Sequence, residues 1–193
     1  HTRDRRQRQM CIRDSNAGNA ILAALFHKQK TGECMRIDLS LWDSAIAALV
    51  NQAHNALASG NNPTPMGSAH PNLVPYRAFE AKDGWFVIGV GSDNQWLTLV
   101  EALGIETQDA WTTNEGRVLG RTEVEARVAK AVAVLERAEL EEKLTGVPCA
   151  PVNTVLEALS DPQSVARKAV TQHQGVDVLA SPLRFMKSSK GEE

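Results

Sequence analysis

His70, Asn72 and Tyr76 are the polar residues whose types and spacing are best suited to binding a small ligand. An imidazole, an amide and a phenol together supply hydrogen-bond donors and acceptors that suit a small polar ligand. They fall at the end of residues 59–75, whose prolines and glycines are typical of a linker or loop. Two roles stay open. The three residues line a substrate pocket between domains, or the His70 ring bonds neighbouring backbone groups and holds the loop.

Gly89, Gly91 and Cys149 are weaker candidates. Gly89-Val90-Gly91 lacks the third glycine of a dinucleotide-binding turn, so we interpret it as tight packing between a strand and the following helix. Cys149 follows Pro148 at the predicted start of a strand. A nucleophilic cysteine needs a histidine partner and an electropositive pocket, and the sequence indicates neither, so we predict a buried structural thiol.

The histidines give no pattern for a metal. His27 and His54 lie on predicted helices without a second ligand three or four residues away, so we predict no metal site. The phosphate-binding, serine-hydrolase and zinc-protease motifs are also absent from the sequence.

The elements that must position these residues begin with a predicted hairpin. Two apolar runs, Tyr76–Ala81 and Trp85–Val90, flank Lys82-Asp83-Gly84, and Asp-Gly between such runs is typical of a β-turn. Ser92 and Gln95 then have the spacing of a helix N-cap, and Gly104 is placed to end that helix.

Further elements are predicted on both sides of the hairpin. Upstream, a helix ends at Thr31-Gly32, Met35–Leu39 alternates as a strand, and Ser40 caps a second helix. This helix–strand–helix layer needs sheet that the chain does not contain. Downstream, Thr122 caps a helix, and further helices precede and follow a short strand at Cys149–Asn153. The other predictions are helix starts at Thr154 and Asp161-Pro162 and a weak strand within Gly175–Phe185.

Composition bounds the class of protein. The 193 residues are 42% hydrophobic and 23% charged, which is typical of a globular fold, and the net charge of −2 gives no pull toward nucleic acid or membrane. Three unpatterned cysteines fit reduced thiols, so we expect a cytoplasmic protein. The arginines of residues 1–15 leave nucleic-acid binding open only as a minor alternative. That segment resembles translated adaptor sequence, and we predict that it is disordered and foreign to the protein.

Several stretches resemble the family III CoA-transferases, which include formyl-CoA transferase, carnitine CoA-transferase and α-methylacyl-CoA racemase. The matching stretches are A-I-L-A-A-L at 20–25, R-I-D-L-S-L-W-D-S at 36–44, G-S-A-H-P-N-L-V-P-Y at 67–76, G-V-G-S-D-N-Q-W at 89–96, W-T-T-N at 111–114 and G-V-P-C-A-P-V-N at 146–153. The resemblance implies an α/β fold made of part of a large, Rossmann-like α/β domain and a small α+β domain. On this basis we divide the chain into residues 16–58 (large domain), 59–75 (linker), 76–152 (small domain) and 153–193 (return toward the large domain).

The resemblance also implies a chemistry. Family members exchange CoA between an acyl-CoA and a carboxylic acid, with CoA as substrate and no separate cofactor, and they act as interlocked homodimers. An aspartate forms first an anhydride with the acyl group and then a thioester with CoA. Arg117 and Arg121 would pair with a CoA phosphate, although surface ion pairs explain them as well.

The family's nucleophilic aspartate has no counterpart in this sequence. Counting back from Thr31 with the family spacing gives Met10, and Asp14 lies about one helical turn too close. We therefore expect a fragment that starts near Asn16 and is inactive alone. A racemase of the same fold, or a non-catalytic scaffold or dimerisation fragment, stays open.

Overall fold

The computed structural model describes the backbone of residues 2–185 and the side chains of residues 12–185. It forms two compact units, residues 1–65 and 66–193. The division falls within the predicted linker. Helices and short antiparallel sheets together confirm a mixed α and β fold.

The first unit is helical over most of its described length. Helix α1 spans Thr2–Thr31, α2 spans Leu41–Ala47 and α3 spans Val50–Ser59. Residues 1–15 are predicted to be disordered, whereas α1 already begins at Thr2. The difference has a local reason, because arginine and glutamine favour helix and this stretch contains neither proline nor glycine. Met10 lies in this helix, but its side chain is outside the described residues.

The predicted strand at Met35–Leu39 is not formed, and residues 33–40 are neither helix nor strand. A strand exists only when its backbone groups pair with a neighbour, and no described residue pairs with this stretch. The helix expected after Ser40 is also divided: residues 48 and 49 form a turn, and Val50, the first residue of α3, has a positive φ of 47°. Ser40 does cap α2 by accepting the Asp43 amide.

The second unit contains the predicted hairpin. Strands β1 (Tyr76–Ala81) and β2 (Gly84–Gly89) pair antiparallel, with Phe79 opposite Phe86, and β3 (Cys149–Pro151) pairs on the other side of β2. Helix α4, Asp93–Leu103, begins at the Ser92 cap and ends at Gly104 in the left-handed conformation. These local predictions are confirmed.

Further helices complete this core. A 3-10 turn spans Asp109–Trp111, and helices α5, α6 and α7 span Asn114–Leu119, Arg121–Val132 and Arg137–Lys143. The predicted cap at Thr122 is wrong, since α6 begins at Arg121 without a side-chain cap. Trp96, Phe86 and Val128 are among the fully buried residues, and every buried hydrophobic side chain described lies between Val74 and Val147.

The chain then leaves the core. Helix α8 (Val155–Ser160) begins with a capping box at Thr154, and α9 (Pro162–Ala166) begins at the Asp161 cap, as predicted. Strands β4 (Val170–His173) and β5 (Val176–Leu179) form an exposed two-stranded hairpin, of which the sequence indicated only the second strand.

Candidate functional site

His70, Asn72 and Tyr76 lie together at the start of β1. The His70 and Tyr76 rings stack with centroids 5.3 Å apart. The His70 backbone amide donates to the Tyr76 carbonyl at 2.8 Å, and the Asn72 backbone amide donates to His70 Nδ1 at 3.1 Å. Because an amide N–H only donates, Nδ1 accepts, and a neutral ring then carries its proton on Nε2. The His70 ring therefore holds the loop as the second sequence interpretation expects, while contact with a substrate stays a prediction.

Asn114 and Arg121 bind the backbone of the same loop. Asn114 Nδ2 donates to the Asn72 carbonyl at 2.8 Å, and its Oδ1 accepts the Val74 amide at 3.2 Å. Arg121 Nη2 donates to the Pro71 carbonyl at 2.7 Å. The loop that carries the candidate residues is thus held by side chains of α5 and α6.

Arg117, between these two residues, is fully buried. Its Nε donates to the Val74 carbonyl at 2.8 Å, and its Nη1 donates to the Trp111 and Thr112 carbonyls at 3.0 and 3.2 Å. Its Nη2 meets Asp93 Oδ1 at 2.8 Å. Arg117 does form an ion pair, with half-exposed Asp93, but its own side chain is buried rather than at the surface. Its other hydrogen bonds go to backbone carbonyls, so the guanidinium is not presented to a phosphate.

Arg117 also lies over an aromatic ring. Its guanidinium carbon is 5.4 Å from the Trp96 ring centroid, an arrangement that favours a cation. Trp96 Nε1 is buried without a hydrogen-bond partner in the described structure. The Trp96 ring therefore interacts with Arg117 through its face and not through a hydrogen bond from Nε1–H.

Glu125 holds Arg121 in place. Its carboxylate bonds Arg121 Nη1 at 3.1 Å and Arg77 Nη1 at 2.8 Å, and the residue is buried. A groove of about 490 Å³, lined in part by Trp85, runs beside these residues. Both arginines of the groove are already paired with Glu125, so this face presents no unpaired guanidinium to a ligand.

Gly89 is needed for close approach. A Cβ at Gly89 would lie 3.2 Å from the Tyr76 ring, so the tight contact is with the paired strand rather than with the next helix. Gly91 donates its amide to the Gln95 side chain at 2.8 Å. Neither glycine needs a dinucleotide to explain it.

Cys149 is a free thiol in β3, and burial raises its pKa above the ordinary value for cysteine. A raised pKa lowers the thiolate fraction at neutral pH, which agrees with a structural rather than a nucleophilic role.

His27 lies 3.6 Å from Glu33, and His54 Nδ1 lies 3.0 Å from the Val50 carbonyl. Over the described side chains, no group of three or more His, Cys, Asp or Glu is placed to hold a metal ion. No helix within residues 2–185 is both long and apolar enough to cross a membrane.

Comparison with known proteins decides the family. The sequence profile of CoA-transferase family III matches residues 14–191. The chain belongs to CoA-transferase family III. Among curated proteins, this family III chain is 36% identical over 154 residues to "Succinate--glutarate CoA-transferase" of Agrobacterium fabrum, covering 77% of this chain and 38% of that protein. It is 31% identical over 173 residues to "Succinyl-CoA:mesaconate CoA-transferase" of Haloarcula hispanica, covering 86% and 44%.

Solved structures agree with the family III fold. A CAIB/BAIF family protein from Brucella suis is 38% identical, with a TM-score of 0.68 over 86% of this chain and 45% of that one. Rv3272 from M. tuberculosis has a TM-score of 0.72 at 20% identity and supports the fold alone. The chain therefore spans less than half the length of the relatives it matches.

In this family III chain, the sequence interpretation missed how Asn114, Arg117 and Arg121 act together. Asn114 and Arg117 are three residues apart on α5, the spacing that places side chains on one side of a helix, and Arg121 is the first residue of α6. That spacing was the available signal. Their partners are backbone groups of residues 71–74 far away in the sequence, and no pattern of residue types predicts such partners.

Proposed function

We propose that the protein to which this chain contributes transfers CoA between two carboxylic acids. The observation that carries the proposal is the 36% identity to a succinate–glutarate CoA-transferase over 154 residues. The family profile over residues 14–191 supports it. The relatives are named for succinate, glutarate and mesaconate, so we propose dicarboxylic acids as donor and acceptor.

The proposed reaction uses an aspartate carboxylate outside residues 16–193, at the position that the family spacing assigns to Met10. The carboxylate attacks the thioester carbonyl and the C–S bond breaks, which gives an acyl-aspartyl anhydride and CoA thiolate. The thiolate attacks the aspartyl carbonyl and releases the donor carboxylate. The acceptor carboxylate then attacks the aspartyl-CoA thioester, and the thiolate attacks the acceptor's acyl carbon. New acyl-CoA leaves, the aspartate is regenerated and no proton is consumed.

In this proposal His70, Asn72 and Tyr76 contact the acyl group. The proposal is supported by their position together at the start of β1 and by the hydrogen bonds that hold the backbone carrying them. Backbone amides near the site would stabilise the tetrahedral intermediates. Coenzyme A enters as a substrate, and the proposal needs no metal or further cofactor.

We place the complete protein in the cytoplasm as a homodimer. Cys34 and Cys149 are free thiols, which agrees with a reducing compartment. The 193-residue chain itself we take to be a non-catalytic fragment. Purified chain is expected to show no CoA exchange above a buffer blank, and turnover above that blank would contradict the fragment's inactivity.

The decisive experiment uses the uninterrupted gene. We expect an aspartate at the place of Met10, and CoA exchange between succinyl-CoA and glutarate that its change to asparagine abolishes. Absence of an acidic residue there would end the transferase proposal. Uptake of solvent deuterium at the α-carbon of a branched acyl-CoA, without CoA exchange, would indicate the racemase instead.

A further inference from the structure

The segment of residues 70–76 is held mainly through its backbone, and the holding groups are side chains of α5 and α6. We propose that Asn114, Arg117 and Arg121 form one positioning unit that fixes this segment for substrate binding. The substrate part of this inference rests on the function proposed above. The positioning part is testable without any activity.

The bonds of this unit are directed at peptide groups. Pro71, Asn72 and Val74 each offer a carbonyl to one of the three side chains, at 2.7 to 2.8 Å, and Val74 also gives its amide to Asn114. Bonds to peptide groups fix the path of the chain while leaving its side chains to make other contacts. Positioning and ligand contact are thus separated between two sets of residues.

Each member of the unit is itself held in place. Arg117 is buried and bonded to the Trp111 and Thr112 carbonyls, which hold its guanidinium in one orientation. Arg121 is oriented by buried Glu125. A side chain whose rotamer is locked in this way positions its partner more closely than a solvated one.

The unit also influences which tautomer the His70 ring adopts. Asn114 holds the Asn72 carbonyl, and Asn72 in turn gives its amide to His70 Nδ1. Loss of the outer bond frees Asn72 to move, so the inner bond that selects the Nε2–H tautomer weakens. Arg121 holds the Pro71 carbonyl, which lies between His70 and Asn72 in the chain. The nitrogen shifts of the His70 ring therefore report on both Asn114 and Arg121.

The test compares Asn114→Ala and Arg121→Ala with wild-type chain by NMR. Asn114→Ala should accelerate exchange of the Val74 amide about tenfold, the effect expected for losing one partly buried hydrogen bond. Both variants should move the His70 nitrogen shifts toward a mixture of tautomers. Arg121→Lys should restore much of the His70 signal, because an ammonium still donates to the Pro71 carbonyl.

Two further variants distinguish a local effect on the loop from a general loss of stability. Arg127→Ala removes a guanidinium of α6 that bonds the Glu106 carbonyl and Glu123 and lies over the Trp111 ring, but bonds no residue of the loop. It should therefore leave Val74 and His70 unchanged. Asn114→Asp keeps an acceptor for the Val74 amide but loses the donor to Asn72. It should retain slow exchange of the Val74 amide while changing the His70 nitrogen shifts. This variant replaces Asn114→Ala in the test if Asn114→Ala does not fold.

Unchanged Val74 exchange and His70 shifts in the folded variants would overturn the positioning unit, as would equal changes in Arg127→Ala. Failure of the proposed function gives a different result. The complete protein would then lack CoA exchange while the exchange and shift changes in this chain persisted.

Discussion

At the scale of single residues, Arg117 shows why a buried charge is retained. Its guanidinium donates to three backbone carbonyls and meets Asp93, whose carboxylate is half exposed. The ion pair itself contributes little where one partner is in water. The Val74 and Trp111 carbonyls matter more, because both residues are buried and without Arg117 these carbonyls would lose their donor.

We predict that Arg117→Met lowers the free energy of unfolding by on the order of 3 kcal/mol, because it leaves buried carbonyls without donors. Arg117→Lys should recover less than half of this loss, since an ammonium does not reproduce the fork. Urea unfolding followed by tryptophan fluorescence measures both. Asp93→Asn is the control and should cost much less, and a loss equal to that of Arg117→Met would mean that the ion pair dominates.

At the scale of elements, helix α5 packs against the 3-10 turn at Gly116. A Cβ at Gly116 would lie 1.6 Å from the Ala110 carbonyl oxygen, a contact with backbone that no rotamer change relieves. We predict that Gly116→Ala destabilises the chain by about 3 kcal/mol, at the upper end of overpacking effects. Gly18→Ala, with open space around its Cβ in α1, should instead favour its helix. Thermal unfolding monitored by circular dichroism compares the two, and a neutral Gly116→Ala would contradict the packing.

The turn of the hairpin is joined to α7 by Asp83. Hydrogen bonds from the backbone amide and the side chain of Arg137 lower the pKa of the Asp83 carboxyl below its ordinary value. A lowered folded pKa means that the stabilisation is complete above the unfolded value of about 3.9 and is lost as pH falls through the folded value.

We therefore predict that Asp83→Asn reduces stability at neutral pH and flattens the fall of the unfolding midpoint below about pH 4. Urea midpoints measured between neutral and strongly acidic pH test this. Glu142→Gln makes the same change of charge at a carboxylate without a described ion pair, and it should keep the steeper acid limb. An acid limb as steep in Asp83→Asn as in wild type would show that Asp83 does not contribute.

At the scale of the whole molecule, the two units differ in what they bury. Residues 66–193 contain every buried hydrophobic residue described, whereas Ser44 is the one buried residue described in the first unit. Trp42 is 73% exposed and Leu57 is 84% exposed. Burial of apolar surface is the main favourable term in folding, so the second unit carries the stability of the chain.

We predict that residues 66–193 alone unfold cooperatively, with a free energy within about 1 kcal/mol of the full chain. In the full chain, amide hydrogens of β1, β2 and α6 should exchange slowly, while those of α2 and α3 exchange close to the unfolded rate. Urea unfolding and hydrogen exchange by mass spectrometry measure these outcomes. Loss of the cooperative transition on removing residues 1–65 would show that the first unit supports the core.

Some elements of this protein could be predicted from its sequence because they depend on local interactions. The hairpin followed from Lys82-Asp83-Gly84, and helix starts followed from Ser92, Thr154 and Asp161, because turns and caps form between residues a few positions apart. The family also followed from short motifs and their order.

Only the tertiary structure decided which polar residues hold the candidate site. Arg117 was expected at the surface and is buried, and Asn114 was not singled out although it bonds residues 72 and 74. Met35–Leu39 alternates as a strand does, yet it has no pairing partner among the described residues and forms no strand. Periodicity records a preference of the local chain, whereas a buried charge, a paired strand or a held loop depends on groups brought close by folding.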